Sequence, residues 1–324
     1  MIPTPDDVWR AAERIKGIAQ TTPLLNSPVL DEMSGCTLFA KAENLQVTGS
    51  FKIRGAGNRL VQLSAEQRKT GVVAFSSGNH AQGVARAARH VNCPAVIVMP
   101  SDAPQVKIEG VRRDGADIVL YDRNAQSREE IAANLVEMRG AVLVPSYDDP
   151  NIVAGQGTTG LEMVQQARAL QTTFEHVIVC AGGGGLGSGM SLAFEAIMPG
   201  TELWTAEPEG HDDWARSLNN KTLLANPPGT RSICDAILTP QPGNIPFEIA
   251  RSRFAGGLVV SDEQVKWAMQ VAFSHLKLVL EPGGAVALAA ALYALPDHMR
   301  GSTVGITLSG GNVDPQLFAD CLLA

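Results

Sequence analysis

Short apolar runs alternate with helical segments of mixed polarity along most of this chain, and that alternation constrains the fold more than any other feature. Gly71 to Phe75 (GVVAF) reads as a buried strand, followed by SSGNH and the helical AQGVARAARHV. AVIVM (Ala95 to Met99), the turn PSDAP and a helix with apolar residues at Val106 and Val111 repeat the order. ADIVLY (Ala116 to Tyr121), a helix from Ser127 to Met138 and AVLVPS repeat it again. Strands this short with helices between them are the signature of a parallel, doubly wound α/β sheet.

The pattern restarts after Asp149. A helix from Thr158 to about Leu170 leads to the strand HVIVC, the glycine-rich AGGGGLGSG and the helical MSLAFEAIM. ELWTAEP follows as a strand, Lys221 to Pro246 reads as irregular, and VSDEQVKWAMQVAFSHLKLV has a Ser/Asp cap and helical spacing. GAVALAAALYAL is apolar nearly all round and predicts a buried helix, and TVGITLSGGNVD closes the series as a strand and loop. The expected organisation is a large domain from residues 1–69 and 148–324, with a smaller βαβ domain inserted at 70–147. Ligands of such sheets bind beyond the carboxyl ends of the strands, which is where SSGNH, AGGGGLG and LSGGN fall.

Composition narrows the function. Of 324 residues 45% are hydrophobic and only 5% aromatic, while Gly reaches 32, which suits close helix–sheet packing. The net charge of −7 comes without a basic run, so the footprint of a nucleic-acid binder is missing. No apolar run approaches the ~18 residues that span a bilayer, and the first residues are no signal peptide. The five cysteines stand far apart, with neither C-x-x-C nor a Cys/His cluster, against a disulfide framework or zinc site. A reducing, cytoplasmic setting is the expectation.

Gly182, Gly183, Gly184 and Gly185, with Gly187 and Gly189, follow a strand and open a helix. Glycines there let several backbone N–H groups approach one phosphate, helped by the helix N-terminus. No Lys-Ser/Thr follows, so this is not a nucleotide P-loop. The run also satisfies G-x-G-x-x-G, with Glu202 or Glu207 at a distance suited to a ribose contact, so phosphate cofactor, dinucleotide and tight packing all remain open on this motif. Lys52, in TGSFKIRGA (Thr48 to Ala56), narrows the choice. It follows an aromatic residue at an apparent helix start, where desolvation and positive potential lower an amine's pKa and make it a nucleophile. A surface lysine would be the ordinary alternative.

TGSFKIRGA, Ser76-Ser77-Gly78-Asn79-His80, the tetraglycine and Ser309-Gly310-Gly311-Asn312 occur in the order and spacing of the serine/threonine dehydratase family, pyridoxal-phosphate (PLP) enzymes of fold type II. This chain resembles that family over nearly its whole length. The resemblance implies an imine between PLP and Lys52, Phe51 beside the ring, and Asn79 on the phenolic oxygen. Gly182, Gly183, Gly184, Gly185 and Leu186 would hold the phosphate, and Ser309 would face the pyridine nitrogen. A hydroxyl there does not keep that nitrogen protonated as an aspartate would, which favours β-elimination over transamination. Ser76, Ser77, Asn79 and His80 would grip the substrate carboxylate. Ser77 matches the acid/base that serine racemases place opposite the lysine, so this chain resembles the racemase-like branch.

By the same resemblance Glu207, Asp213 and the main-chain carbonyl of His211 would hold Mg²⁺, with Ca²⁺ or Mn²⁺ as alternatives, since carboxylates and carbonyls are hard ligands. The partners implied are a small-molecule amino-acid substrate and a second copy of the chain, with no nucleic acid and no membrane. Val47 stands where animal serine racemases carry an ATP-site lysine, and no regulatory domain of the kind found in biosynthetic threonine dehydratases is expected after SGGNVD. Arg128 matches an arginine near the active-site mouth of the racemase-like branch. Facing the pocket, it would pair with a second substrate carboxylate and favour 3-hydroxyaspartate over serine or threonine; on the helix surface it would simply be solvated. The expected reaction is PLP-dependent dehydration of a small 3-hydroxy amino acid to a 2-oxo acid and ammonia. Racemisation of serine or aspartate is the alternative, a β-replacement synthase is less favoured, and a dinucleotide oxidoreductase is the remote reading. Lys52→Ala is expected to abolish both the absorbance of the internal imine and turnover, and retained turnover in purified protein would refute the role given to Lys52.

Overall fold

Both ends of the chain supply strands to one sheet, and the segment between them forms a second. The computed structural model describes every residue except Ser77 and Pro104, and every side chain of the others except that of Val106, which falls within a described helix. In chain order the strands are β1 (Leu24–Asn26), β2 (Thr37–Ala42), β3 (Val72–Phe75), β4 (Ala95–Pro100) and β5 (Asp117–Tyr121). They continue with β6 (Val142–Leu143), β7 (His176–Cys180), β8 (Glu202–Pro208), β9 (Phe254–Val260) and β10 (Thr303–Leu308). The larger sheet has the order β1-β2-β10-β7-β8-β9 and the smaller β5-β4-β3-β6. All neighbours are parallel except β1 and β2. Late in sequence, β10 slots between β2 and β7, with Thr303 to Leu308 in register with Thr37 to Ala42. The small sheet is therefore an excursion from a sheet that cannot close until the chain returns.

The strand chemistry explains the layering. β4 (AVIVMP) and β7 (HVIVC) are buried at every position, as parallel strands are when helices cover both faces. The helix Pro282–Tyr293 is buried from Pro282 through Ala291, as its all-round apolar sequence predicts. Helix Pro150–Ala169 packs on helices Lys52–Leu60 and Gly185–Ile197 at glycine contacts. A Cβ on Gly155 would lie 2.5 Å from the Arg54 carbonyl oxygen, and one on Gly189 would lie 2.2 Å from that of Val153. Such distances leave no room for any other residue, which accounts for much of the glycine content.

Several local expectations are corrected. The helix expected to begin at Thr158 begins at Pro150, because the Asp149 carboxylate caps the amides of Asn151 and Ile152 and Pro150 takes a first-turn position. Glycines at 155 and 157 disguised its first two turns by serving helix contacts instead of breaking the helix. The segment from Ser261 onward does not stay α-helical to Val279: the α-helix ends at Val271, a π turn spans Ala272–Leu276, and Lys277 at φ 58° ends it. The irregular stretch 221–246 contains the short turn Asp235–Ile237 and the start of helix Asn244–Ala250. β1, β2 and β9, edge or near-edge strands, carried no apolar run that marked them.

One buried charge network joins these layers. Arg54 is fully buried; its Nε donates to Glu43 Oε2 at 2.7 Å and its Nη1 to Glu162 Oε1 at 2.7 Å. Lys41, on β2, donates to Glu162 Oε2 at 2.8 Å and to the Thr22 carbonyl at 2.7 Å. Two cations and two carboxylates therefore compensate one another, with Arg54, Lys41 and Glu43 buried and Glu162 partly exposed, and such pairing is the condition under which buried ions are tolerated. Removing one member leaves an uncompensated charge. Arg54→Met is expected to lower unfolding free energy by about 3–5 kcal/mol in denaturant titration, and a loss under ~1 kcal/mol would show that the network carries little of the fold's stability.

Candidate active site

The lysine motif and the serine-glycine motif at the end of β10 are laced together by backbone. Ser50 and Gly310 form an antiparallel bridge, the Gly311 amide donates to the Gly49 carbonyl at 2.9 Å, and Phe51 N–H reaches the Ser309 carbonyl at 3.3 Å. Asn312 Nδ2 adds a bond to the Thr48 carbonyl at 2.8 Å. This lacing starts the helix Lys52–Leu60 and turns its first residue into a cavity of about 150 Å³ between the two sheets. Lys52 Nζ donates to the Ser146 carbonyl at 3.0 Å and lies 5.0 Å from the centroid of the Phe51 ring. Burial pulls its pKa down to about 8, against the opposing pull of Cys180 and Glu281.

Beyond β3, the Ser76 amide donates to the Val98 carbonyl at 3.1 Å, and its Oγ accepts the Gly78 N–H at 3.1 Å. Ser77 lies outside the described residues. Asn79 starts the helix Asn79–His90; its Nδ2 donates to Glu281 Oε1, and its Oδ1 accepts from Asn312 Nδ2 at 2.8 Å. His80 is buried with Nε2 2.9 Å from the Val144 carbonyl, so that nitrogen carries the hydrogen. Burial, then the charge of Lys52, depress its pKa to about 3, so it remains neutral. A neutral imidazole held by a carbonyl is a positioned wall, not a cation for a substrate carboxylate.

The tetraglycine forms the opposite wall. Gly184 has φ 87°, and a Cβ on it would lie 1.8 Å from Trp214 Cζ2; one on Gly183 would lie 2.1 Å from Tyr147 Cγ. The loop runs directly into helix Gly185–Ile197, whose first N–H groups have no acceptors within the helix. Leu186 and the buried Ser309 also line the cavity, with Ser309 in hydrogen-bond reach of the Cys180 thiol. Arg128 begins helix Arg128–Arg139 and lines the same cavity. Its guanidinium carbon sits 5.3 Å from the Phe75 ring centroid, and its Nε donates to Glu129 Oε1 at 2.8 Å. The side chain is 40% exposed, so it stands at the mouth with one edge on the protein and the other open.

The structure thus gathers Phe51, Lys52, Ser76, Asn79, His80 and Arg128 around one cavity with the glycine loop and Ser309. Sequence reading missed Lys107, Tyr147, Asp235 and Glu281, which line it as well. Only Glu281 had a signal, as the residue before Pro282 at a helix start.

Glu207, His211 and Asp213 lie elsewhere, around the end of β8 and the start of helix Asp213–Asn220. Among the described residues no three His, Cys, Asp or Glu side chains form a metal-holding group. Glu207 accepts the amides of Trp214 and Ala215, each at 2.8 Å, and thereby caps that helix. Asp213 Oδ2 is buried without a partner, and burial followed by the Asp213 charge raises Glu207 well above the usual carboxylate range. Two buried carboxylates of like charge, one with a spare oxygen, match the chemistry of a cation site completed by a carbonyl. The ribose reading fails on geometry. Glu202 sits in register with His176 at the amino end of its strand, away from the glycine loop, and Glu207 is taken up by backbone amides.

A family model described as pyridoxal-phosphate dependent enzyme matches residues 15–310. The chain is 45% identical to an L-threo-3-hydroxyaspartate ammonia-lyase from Pseudomonas, over 98% of this chain and 97% of that protein. It is 39% identical to a serine racemase of Schizosaccharomyces pombe, over 99% and 98% of the two chains. The solved structure of maize serine racemase superposes with a TM-score of 0.92 at 36% identity, covering 100% of this chain and 98% of that one. Lysine, glycine loop, fold and relatives agree, and the chain belongs to the pyridoxal-phosphate-dependent enzymes, in the fold type II group of the serine/threonine dehydratases.

Proposed function

We propose that the chain is a PLP-dependent ammonia-lyase that dehydrates a small 3-hydroxy amino acid, with 3-hydroxyaspartate the preferred substrate. The observation that carries this reading is Arg128 at the mouth of the cavity that holds Lys52. A guanidinium offers paired donors matched to a carboxylate, and serine or threonine would leave it without a ligand. The named activity of the Pseudomonas relative supports the same choice.

When bound, PLP supplies an electron sink for the α-carbon of the amino acid. The chain's own residues do the rest. The Gly182–Gly185 loop and Leu186 would hold the phosphate through backbone amides, Phe51 would pack beside the ring, and Asn79 would donate to the phenolic oxygen. Ser309 would offer the ring nitrogen a hydroxyl. Lys52, with its lowered pKa, would anchor the cofactor and, once displaced by substrate, take the α-proton. Ser76 and the helix start at Asn79 would face the α-carboxylate, with His80 as a neutral wall. Arg128 would orient the distal carboxylate. The β-hydroxyl leaves as water with one proton, and the released enamine tautomerises and hydrolyses to a 2-oxo acid and ammonia. Ser77, by resemblance, would be the proton donor or acceptor on the opposite face. Racemisation is the second reading, favoured by the serine racemases among the relatives, and accumulation of D-amino acid ahead of oxo acid would select it.

The proposal extends to Mg²⁺ held by Glu207, Asp213 and the His211 carbonyl as a structural ion, to a homodimer, and to a cytoplasmic location. All five cysteines are buried and unpaired, which suits a reducing compartment, and among the described residues no helix is long and apolar enough to cross a membrane.

Release of 2-oxo acid from L- and D-serine, L-threonine and the 3-hydroxyaspartate stereoisomers, with and without Mg²⁺, tests the reading. One hydroxyaspartate isomer is expected to dominate, and Arg128→Ala should lower kcat/KM for it by ~100-fold, the worth of a charge-assisted pair, while serine turnover changes far less. Equal losses on both would return Arg128 to the solvated surface. The Lys52 amine also sets the pH of cofactor uptake. With its pKa near 8, the neutral fraction rises with pH, so uptake of PLP by apoprotein should accelerate ~tenfold from pH 7 to its plateau above pH 8; a rate still climbing through pH 10 would mean an unperturbed lysine.

A further inference from the structure

Lys107 is a cation that the reaction does not account for. It lies on helix Gln105–Arg113, among the residues that build the small sheet, and is only 3% exposed. Its Nζ stands 3.0 Å from Asp235 Oδ2 and 4.0 Å from Glu281 Oε2. Both carboxylates belong to the part of the chain that builds the large sheet: Asp235 opens a short turn, and Glu281 precedes helix Pro282–Tyr293. The lysine stem packs on the loop before Asn79, since a Cβ on Gly78 would fall 2.8 Å from Lys107 Cδ. A buried ammonium is costly unless it is paired. Here its partners lie across the junction between the sheets.

Glu281 links this cation to Asn79. Its Oε1 accepts from Asn79 Nδ2, and its Oε2 has no hydrogen-bond partner although it is buried. An ionised carboxylate can only accept, so it selects the NH₂ edge of the Asn79 amide. Asn312 Nδ2, already donating to the Thr48 carbonyl, donates also to Asn79 Oδ1 and so selects the oxygen edge. Both edges of one amide are therefore assigned by chemistry, and its second N–H is left for the cavity. The groups facing Glu281 are Lys107, Asp235, Asn79, Lys52 and the Cys180 thiol. Burial raises its pKa to about 7, and Lys107 is the largest influence working against that rise. Lys107 therefore favours the ionised, accepting form of Glu281; without it the carboxyl holds a proton more readily, and a protonated Glu281 would donate toward Asn79 and compete for its oxygen edge.

We infer that Lys107 is a positioning residue: by bridging the junction to Asp235 and Glu281 it holds the carboxylate that fixes Asn79 as a hydrogen-bond donor toward the cofactor ring. The inference rests on the family's cofactor and not on which amino acid is consumed. Because the lysine and its acceptors lie on opposite sides of the junction, the arrangement is complete only when the two sides are together.

The test is titration of apoprotein with pyridoxal phosphate in the absence of substrate, followed by cofactor absorbance and tryptophan fluorescence. Lys107→Met is expected to bind the cofactor about tenfold more weakly, the worth of one hydrogen bond involving a charge, and to shift the cofactor absorption band. Lys107→Arg should restore most of both. Adding Lys107→Met to Glu281→Gln should cost nothing beyond Glu281→Gln alone, because the two act through one chain of contacts. Unchanged cofactor affinity and spectrum in Lys107→Met would overturn the inference. Additive losses in the double variant would overturn it too. Should Lys107→Met fail to fold, Asp235→Asn replaces it: a smaller weakening with a band shift is expected, and wild-type affinity and spectrum would count against the role. None of these readouts involves turnover, so a wrong substrate assignment leaves them untouched.

Discussion

Arg54 stands two residues beyond Lys52 on the same helix, and its guanidinium is held by Glu43 and Glu162. Those partners come from the turn after β2 and from the long helix Pro150–Ala169, and Lys41 on β2 completes the compensation. The network fixes the helix on the side away from the cavity, while the bonds from Thr48, Ser50 and Phe51 to the β10 loop fix it on the near side. A reactive amine needs a defined position as well as a lowered pKa. Here both follow from one short segment, whose arginine anchors it in the protein and whose lysine faces the opening.

Around that anchor the cavity is made of groups whose chemistry is decided by burial. Lys52 loses part of its affinity for a proton, His80 is kept neutral, and Glu281 is pushed toward protonation but faces a cation. The glycine loop does the complementary work with backbone alone. Tyr147 and Trp214 fill the space where side chains at Gly183 and Gly184 would project, so the loop is closed behind and open only toward the cavity. The carboxylates at the end of β8 stand apart from this loop, and Glu207 there caps the helix that carries Asp213.

The cavity lies at the junction of two sheets that are continuous in chain but separate in hydrogen bonding. Arg128, Lys107 and Asn79 come from the part of the chain that builds the small sheet; Glu281, Asp235 and the glycine loop come from the part that builds the large one. At the cavity the two sets meet through polar contacts, Lys107 with Asp235 and Asn79 with Glu281, while Ile53 and Ile152 of the large-sheet part pack with Val84 and Ile97 of the small-sheet part in one apolar cluster.

The sequence by itself determined the alternation of strands and helices, the parallel layering, and the four loops that meet at the cavity. Those are readable because apolar periodicity, glycine runs and a lysine in an apolar turn act over a few residues. It concealed the first turns of helix Pro150–Ala169, where glycine serves helix contacts, and the edge strands β1 and β9, which lack a continuous apolar run. Only the tertiary structure decided that Arg128 faces the cavity, that His80 is a neutral wall, and that Lys107, Asp235 and Glu281 converge. The physical reason is sequence separation: Lys107 and its partner Asp235 are 128 residues apart, and Asn79 and Glu281 are 202 apart. Charge pairing over such separations has no local pattern in the sequence.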